Sequence, residues 1–302
     1  MRFGVDLGGT KTELVALAGD GSESLRRRVP TPSHDYEAVV RTIAGLVEEA
    51  EGELGTRGSV GVGTPGARSL RTGRLKNSNS TVFNDRPFAG DLAAALGRPV
   101  RIANDANCFA LSEATDGAAR ELRTVFGIIL GTGVGGGLVV AGRVVTGRND
   151  IAGEWGHNSL PWPRDDERPG PPCYCGKFGC IETFVSGTGL QNDHRRTGGG
   201  AQGGAEIARA AACGDAHARA TLERYVDRLA RALASVVNVL DPDAIVVGGG
   251  LSKLADLYDA LPQRMRAYVF SDSLETQILR PLHGDSSGVR GAARLWDDDG
   301  CI

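Results

Sequence analysis

Apolar positions open the chain in three short bursts. RFGVD (2–6) runs into a glycine turn, TELVALA (12–18) resumes, and SLRRRVP (24–30) follows a GDGS turn, which predicts three strands. Over 36–54 the period changes: Val39, Ile43, Leu46 and Val47 share one helical face and acidic residues the other. SVGVGTPG (59–66) predicts a buried strand ending in a loop, RPVRIAND (98–105) a further strand, and ANCFALSEATDGA (106–118) a helix.

At residue 123 the pattern begins again. RTVFGIIL (123–130) predicts a buried strand, GTGVGGG (131–137) a glycine turn, and LVVAGRVV (138–145) a returning strand pair bent at Ala141-Gly142. An irregular stretch, 147–181, follows. Residues 215–240 predict a long helix with Leu222, Tyr225, Leu229, Leu233, Val236 and Leu240 inward and Arg224, Asp227, Arg228 and Arg231 outward. DAIVVGGGLS (243–252) predicts a buried strand into a glycine loop with a helix beyond, and SGVRGAARLW (287–296) a small helix before an acidic tail. Strand, glycine turn, strand thus occurs twice, about 120 residues apart, an internal duplication. It predicts two similar α/β lobes with a cleft between them for a small molecule.

Composition narrows the class. A length of 302 residues suits about two domains. The 44 glycines cluster directly after apolar runs, where they let backbone approach a ligand. A net charge of −3 gives no field for nucleic acid, and Arg26-Arg27-Arg28 reads as the solvated end of a strand. The chain lacks an apolar run long enough to span a membrane and any signal-peptide pattern, so a cytoplasmic protein with reduced thiols is expected. Cys108, Cys213 and Cys301 are scattered and read as core or incidental thiols.

Three glycine loops carry the first chemistry: DLGGTKT (6–12), GTGVGGG (131–137) and GGG (248–250). Glycines after a strand bring backbone N–H groups to phosphate oxygens, and Thr or Lys adds a hydroxyl or a positive charge. Gly131, Gly133 and Gly136 match a bare G-x-G-x-x-G, but a strand follows them instead of a helix, so the dinucleotide fingerprint fails. The plain alternative for each loop is a tight hairpin needing positive φ. The second chemistry is Cys173-x-Cys175-x4-Cys180, three thiolates of the four nitrogen or sulfur ligands that zinc takes. Glu154 and Glu182 flank this segment, where a rigid metal site would hold both carboxylates in place. Asp105, between a strand and a helix, has a plain reading as an N-cap.

DLGGTKT, GTGVGGG and IVVGGG, in this order, resemble the nucleotide-binding loops of the sugar-kinase, hsp70 and actin superfamily. With the cysteine segment the chain resembles the bacterial ROK family (repressors, open-reading-frame proteins and sugar kinases) over essentially its whole length. KNSNST, AGEWGHNSLPW, CYCGKFGCIETF and HGDSSGVRGAA look most like the fructokinase (mannofructokinase) subgroup. DANCFALSEA and ILGTGVGGGL are similar also to N-acetylglucosamine kinases of the family.

The resemblance implies an α/β, two-lobed actin-like ATPase (ribonuclease H-like) fold with an inter-lobe cleft and a structural zinc loop. It implies an N-terminal lobe at 1–118, on which a C-terminal helix at 288–302 packs back, and a C-terminal lobe at 119–287 carrying the zinc segment 154–182. ATP is expected against Gly4, Val5, Asp6, Leu7, Gly8, Gly9, Thr10 and Lys11, with Asp6 holding Mg²⁺ through water. Thr132, Gly133, Val134, Gly135, Gly136 and Gly137, and then Gly249 and Gly250, complete the expected nucleotide contacts. The same resemblance makes Asp105 the general base rather than a cap. It makes Gly66, Asn79, Asn104, Asp105, Glu154, His157 and Glu182 the sugar contacts. His157 becomes the fourth zinc ligand with Cys173, Cys175 and Cys180, and PRDDERPGPP, within the fifteen residues between His157 and Cys173, a loop excursion.

The expected reaction is transfer of the ATP γ-phosphate to the 6-hydroxyl of a hexose, fructose first, by a homodimer. N-acetylglucosamine, glucose or mannose is the alternative substrate. A sugar-responsive repressor of the family would need an N-terminal winged helix-turn-helix, for which nothing before Asp6 leaves room. A non-catalytic actin-like ATPase leaves the cysteine segment with its two flanking glutamates unexplained.

Overall fold

The computed structural model describes residues 1–78, 80–254 and 256–297. Its opening hairpin is β1 (Arg2–Leu7) and β2 (Lys11–Leu17), extended by β3 (Glu23–Pro30). Helix α1 (Tyr36–Leu54) follows, with the bounds that the apolar spacing predicts. Asp35 accepts from Ala38 N at its start, and Gly55, at φ 62°, closes it in the left-handed region. Next come β4 (Ser59–Thr64), a short ribbon of β5 (Ala67–Arg68) and β6 (Leu75–Lys76), α2 (Phe88–Leu96), β7 (Val100–Asn104) and α3 (Asp105–Thr115). The sheet order is β3-β2-β1-β4-β7, with β4 and β7 parallel to β1. Phe3, Val5, Val60 and Val62 meet Val39, Ile43 and Val47 of α1 in a fully buried core.

The second half repeats this order. Strands β8 (Thr124–Leu130), β9 (Val134–Val140) and β10 (Arg143–Val144) precede α4 (Glu182–Val185), α5 (Gly187–Arg196), α6 (Gly204–Ala212) and α7 (Ala216–Leu240). Then come β11 (Ala244–Gly248), α8 (Leu257–Met265), β12 (Gln277–Leu279) and α9 (Ser287–Arg294). The second sheet runs β10-β9-β8-β11-β12. Strand β9 starts at Val134, so the expected turn over 131–137 shrinks to three residues and its last glycines are extended strand.

Compact units divide the chain at places other than 118/119. One unit is Met1–Glu121 with Gly137–Gly153 and the segment from Leu282; the other is Leu122–Gly136 with Glu154–Pro281. Gly137 explains why 137–153 joins the first: a Cβ there would lie 2.4 Å from Ala106 O, so only glycine lets α3 come this close. The segment from Leu282 is tied by buried Glu113, which accepts from Leu282 N (3.0 Å), His283 N (3.2 Å) and the Ser287 hydroxyl (2.6 Å). Helix α9 then lies on β1 and β4, where a Cβ on Gly4 or Gly61 would meet Val289 O at 2.1 Å or Ala292 O at 1.9 Å.

One expectation for α7 is overturned. Arg228 and Arg231 are 2% and 1% exposed, not outward-facing. Glu167 reaches both from the PRDDERPGPP excursion, with Oε1 2.8 Å from Arg228 Nε and 2.7 Å from Arg231 Nη2. The loop covers that face of the helix, so the charges are buried as a satisfied group.

Candidate active site

In the first unit the turn Gly8-Gly9-Thr10 is closed by Gly8 N donating to Lys11 O (3.0 Å) and braced by the Thr31 hydroxyl donating to Gly8 O (2.8 Å). Neither Gly8 nor Gly9 adopts positive φ, nor do Gly131 and Gly133, so positive φ does not account for the glycines at either loop, although the first joins antiparallel β1 and β2. Gly9 and Gly131 instead face nearly open space. Gly4, Val5 and Leu7 lie elsewhere: Gly4 is under α9, and the Val5 and Leu7 side chains are in the core. Asp6 is half-buried, its carboxyl pushed up to about 7, first by burial and then by the charges of Asp105 and Glu13.

Strand β7 hands over to α3 at Asn104-Asp105. Asn104 is the N-cap: Oδ1 accepts from Ala106 N (2.8 Å), while Nδ2 donates to Gly66 O (3.0 Å). The capping that the plain reading gave to Asp105 therefore belongs to its neighbour, although Asp105 Oδ1 also accepts from Ala106 N (2.8 Å). Gly66 needs φ +86°, and a Cβ would clash with Lys76 O at 2.5 Å. A cavity of about 380 Å³ opens beside Gly66 and Asn104, walled by Ala67, Leu75, Ile102 and Val144. Asn79 lies outside the described residues.

In the second unit the turn Gly131–Gly133 is pinned from α5, by Gly187 N on Gly131 O (2.7 Å) and the Thr188 hydroxyl on Thr132 O (2.9 Å). Glu182 Oε2 accepts from Val134 N (2.8 Å), so this carboxylate braces the glycine loop with one oxygen. Trp155 Nε1 donates to Gly135 O (3.1 Å). Gly249 takes φ +81°, and a Cβ there would lie 2.5 Å from Leu130 O, while Gly250 beside it is open.

The same unit holds the metal candidates. One donor atom each of His157, Cys173, Cys175 and Cys180 falls within 4.8 Å of all the others. Cys175 Sγ and Cys180 Sγ are 3.6 Å apart, and Cys173 Sγ and His157 Nδ1 3.5 Å. A zinc tetrahedron with ordinary bond lengths has S···S and S···N edges of about 3.8 and about 3.5 Å, so the set fits. Burial holds the Cys173 and Cys180 thiols up, Cys180 to about 12, and a divalent cation would reverse that. His157 Nε2, turned away from the cysteines, meets the Tyr174 hydroxyl at 2.9 Å. Glu154 is exposed, just before the 3₁₀ turn Trp155–His157.

Sequence reasoning missed Tyr174 and Glu167. The signal for Tyr174 was its place between two ligand cysteines; for Glu167, a carboxylate in an excursion facing a helix with two arginines on one turn.

Two five-stranded sheets of like order, each entered by a strand, a glycine turn and a strand, define an actin-like kinase fold. The family model described as ROK family matches residues 2–299, and the chain belongs to that family. It is 41% identical to the N-acetyl-D-glucosamine kinase of Pectobacterium atrosepticum over 299 residues, 98% of each chain. Among solved structures it is similar to the ROK hexokinase from Thermus thermophilus (TM-score 0.86, 33% identity, 97% of this chain and 96% of that one). It is similar also to a ROK family glucokinase from Streptomyces griseus in complex with glucose and AMPPNP (TM-score 0.78, 27% identity, 97% and 98%).

Proposed function

We propose that this ROK-family sugar kinase transfers the γ-phosphate of MgATP to the 6-hydroxyl of N-acetylglucosamine. The observation that carries the substrate is the end-to-end match at 41% identity to an N-acetyl-D-glucosamine kinase. Fructose is the second reading, favoured by KNSNST and WGHNSLPW, but the relatives support N-acetylglucosamine better.

Asp105 is the general base. Its carboxylate, at the start of α3, takes the proton of the attacking hydroxyl, a contribution of about 10²- to 10⁴-fold. Asn104 has spent its oxygen on Ala106 N and one N–H on Gly66 O, which leaves the second N–H for a sugar hydroxyl. Glu154 and the Oε1 of Glu182 accept from other sugar hydroxyls. The open turns at Gly8–Thr10 and Gly131–Gly133 present backbone N–H groups to the phosphates, so alignment and charge neutralisation do most of the work. Mg²⁺, when bound, would be held by Asp6 and neutralise phosphate oxygens. Zinc, when bound to His157, Cys173, Cys175 and Cys180, would have no open position and would serve to lock the loop carrying Glu154 and Glu182.

The test is ADP release from purified protein and MgATP with N-acetylglucosamine, fructose, glucose and mannose in parallel. N-acetylglucosamine should give the highest kcat/KM, and Asp105→Asn should lose at least about 100-fold in kcat with an unchanged melting curve. A clear preference for fructose would replace the first reading by the second. Turnover of no sugar would overturn both.

A further inference from the structure

The turn Gly131–Gly133 and the start of β9 are fastened to one short stretch, 182–188. Gly187 N donates to Gly131 O (2.7 Å), the Thr188 hydroxyl to Thr132 O (2.9 Å), and Val134 N to Glu182 Oε2 (2.8 Å). Glu182 also lies directly behind Gly133, where an added Cβ would come 2.6 Å from Oε2 and touch no other group. The glycine there answers to a side chain and not to backbone, so a methyl would push the carboxylate and leave the fold alone. The backbone beneath Glu182 is itself fixed. It opens α4 two positions after Cys180, and Ile181 N donates to Asn158 O (2.8 Å) beside His157. Among the described residues Oε1 makes no hydrogen bond, so one oxygen is committed to the glycine turn and the other is open.

On the reading of this site as that of a sugar kinase, the open Oε1 accepts from a hexose hydroxyl and the turn receives the phosphates of ATP. One flexible side chain then stands between the two substrates. Fixing a glutamate costs side-chain entropy, and that cost arises only once. A hydroxyl donated to Oε1 holds Oε2 on Val134 N, so the turn is set before the phosphates arrive. It also draws the carboxylate's charge away from them. Phosphates that rigidify the turn, conversely, hold Glu182 where the sugar meets it. We propose that Glu182, besides receiving the sugar, is a positioning residue for the phosphate turn and couples the two substrates. Bound hexose tightens nucleotide binding, and bound nucleotide tightens hexose binding by the same factor, since coupling is reciprocal.

The experiment measures calorimetric Kd values for N-acetylglucosamine without and with saturating Mg-AMPPNP, and for Mg-AMPPNP without and with the sugar. Fructose takes the sugar's place if it binds better. Wild type should show one factor in both directions, about fivefold or more. Glu182→Asp keeps the carboxylate but is a methylene too short to serve Val134 N and the sugar together, so the factor should fall to about 1. Thr188→Val, which loosens the turn without touching Glu182, should weaken Mg-AMPPNP while the coupling persists. Gly133→Ala, although it lies in the nucleotide turn, should weaken N-acetylglucosamine several-fold with no nucleotide present. Unaltered coupling in Glu182→Asp, or unaltered hexose affinity in Gly133→Ala, overturns the assignment, as does a wild type that binds its two substrates independently. Loss of zinc or of the wild-type melting transition in both variants also overturns it, in favour of a carboxylate that only holds the fold. Wild-type turnover with independent binding leaves the kinase reading standing alone. Coupled binding of hexose and Mg-AMPPNP, without turnover of ATP, leaves the coupling standing alone. Wild type that binds no hexose sinks both.

Discussion

Asp6 sits where its own ionisation works against the fold. Its carboxyl is raised from 3.8 to about 7, so between those values the folded chain binds a proton that the unfolded chain has released. Stability therefore falls as pH rises through that window and levels off above it, by at most about 4 kcal/mol. Asp6→Asn should match wild type in melting temperature near pH 4 and exceed it at pH 8, in Mg²⁺-free buffer, while losing activity. An equal offset at both pH values would remove ionisation as the cause. Single residues of this kind were partly legible. The three cysteines stand in a short motif whose spacing has a chemical reason, whereas the roles expected of Asp105 and His157 come from the family resemblance. Which of Asn104 and Asp105 caps the helix was not legible, because both types cap well and only the backbone decides. At Gly4 and Gly137 the need for glycine comes from the close approach of α9 and α3, which no motif records.

Helix α7 shows where element-level reading breaks down. Its apolar stripe was clear, but Arg228 and Arg231 were assigned to solvent, because periodicity counts a charge as outward. What overrides it is a covering loop with a matched carboxylate. Burial opposes the charge on Glu167, but hydrogen bonds from Arg231 and Arg228 outweigh it and bring the carboxyl down to about 2. Arg231 Nη1 further donates to Trp162 O at 2.9 Å, so the residue just before the excursion is fastened to the helix as well. Removing the charge at Glu167 leaves two buried guanidinium groups undercompensated, which costs about 3–5 kcal/mol. Glu167→Gln should melt well below wild type at pH 7, with the gap kept down to about pH 5 and closing as pH falls toward 2, since the carboxylate's contribution is lost only as it protonates. A gap independent of pH would point to packing. Helices α5 and α6 escaped prediction for a related reason: their segment is rich in glycine, and α5 depends on Ser186 accepting from Gly189 N at its start.

Duplication is the property of the whole chain that sequence carried best, since strand, glycine turn and strand recur at a fixed offset and both sheets follow one order. Its exchange of segments was hidden, because Gly137–Gly153 and the stretch from Leu282 join the first unit through single close contacts that no periodicity records. The candidate metal ligands, by contrast, belong wholly to the second unit. Zinc removal should therefore act on one unit first. Tryptophan gives the readout: Trp155 and Trp162 report on the second unit, and Trp296, whose indole donates to Val60 O at 2.6 Å, on the first. A Trp155→Phe, Trp162→Phe protein isolates the signal of Trp296, and a Trp296→Phe protein that of the other pair. After chelation the second protein's transition should move down by several degrees, while the Trp296 transition moves little. Zinc binding is folding free energy for the unit that contains the ligands, and for that unit alone if the two unfold independently. Equal shifts in both proteins would mean that the duplicated halves unfold as one cooperative body despite their separate cores.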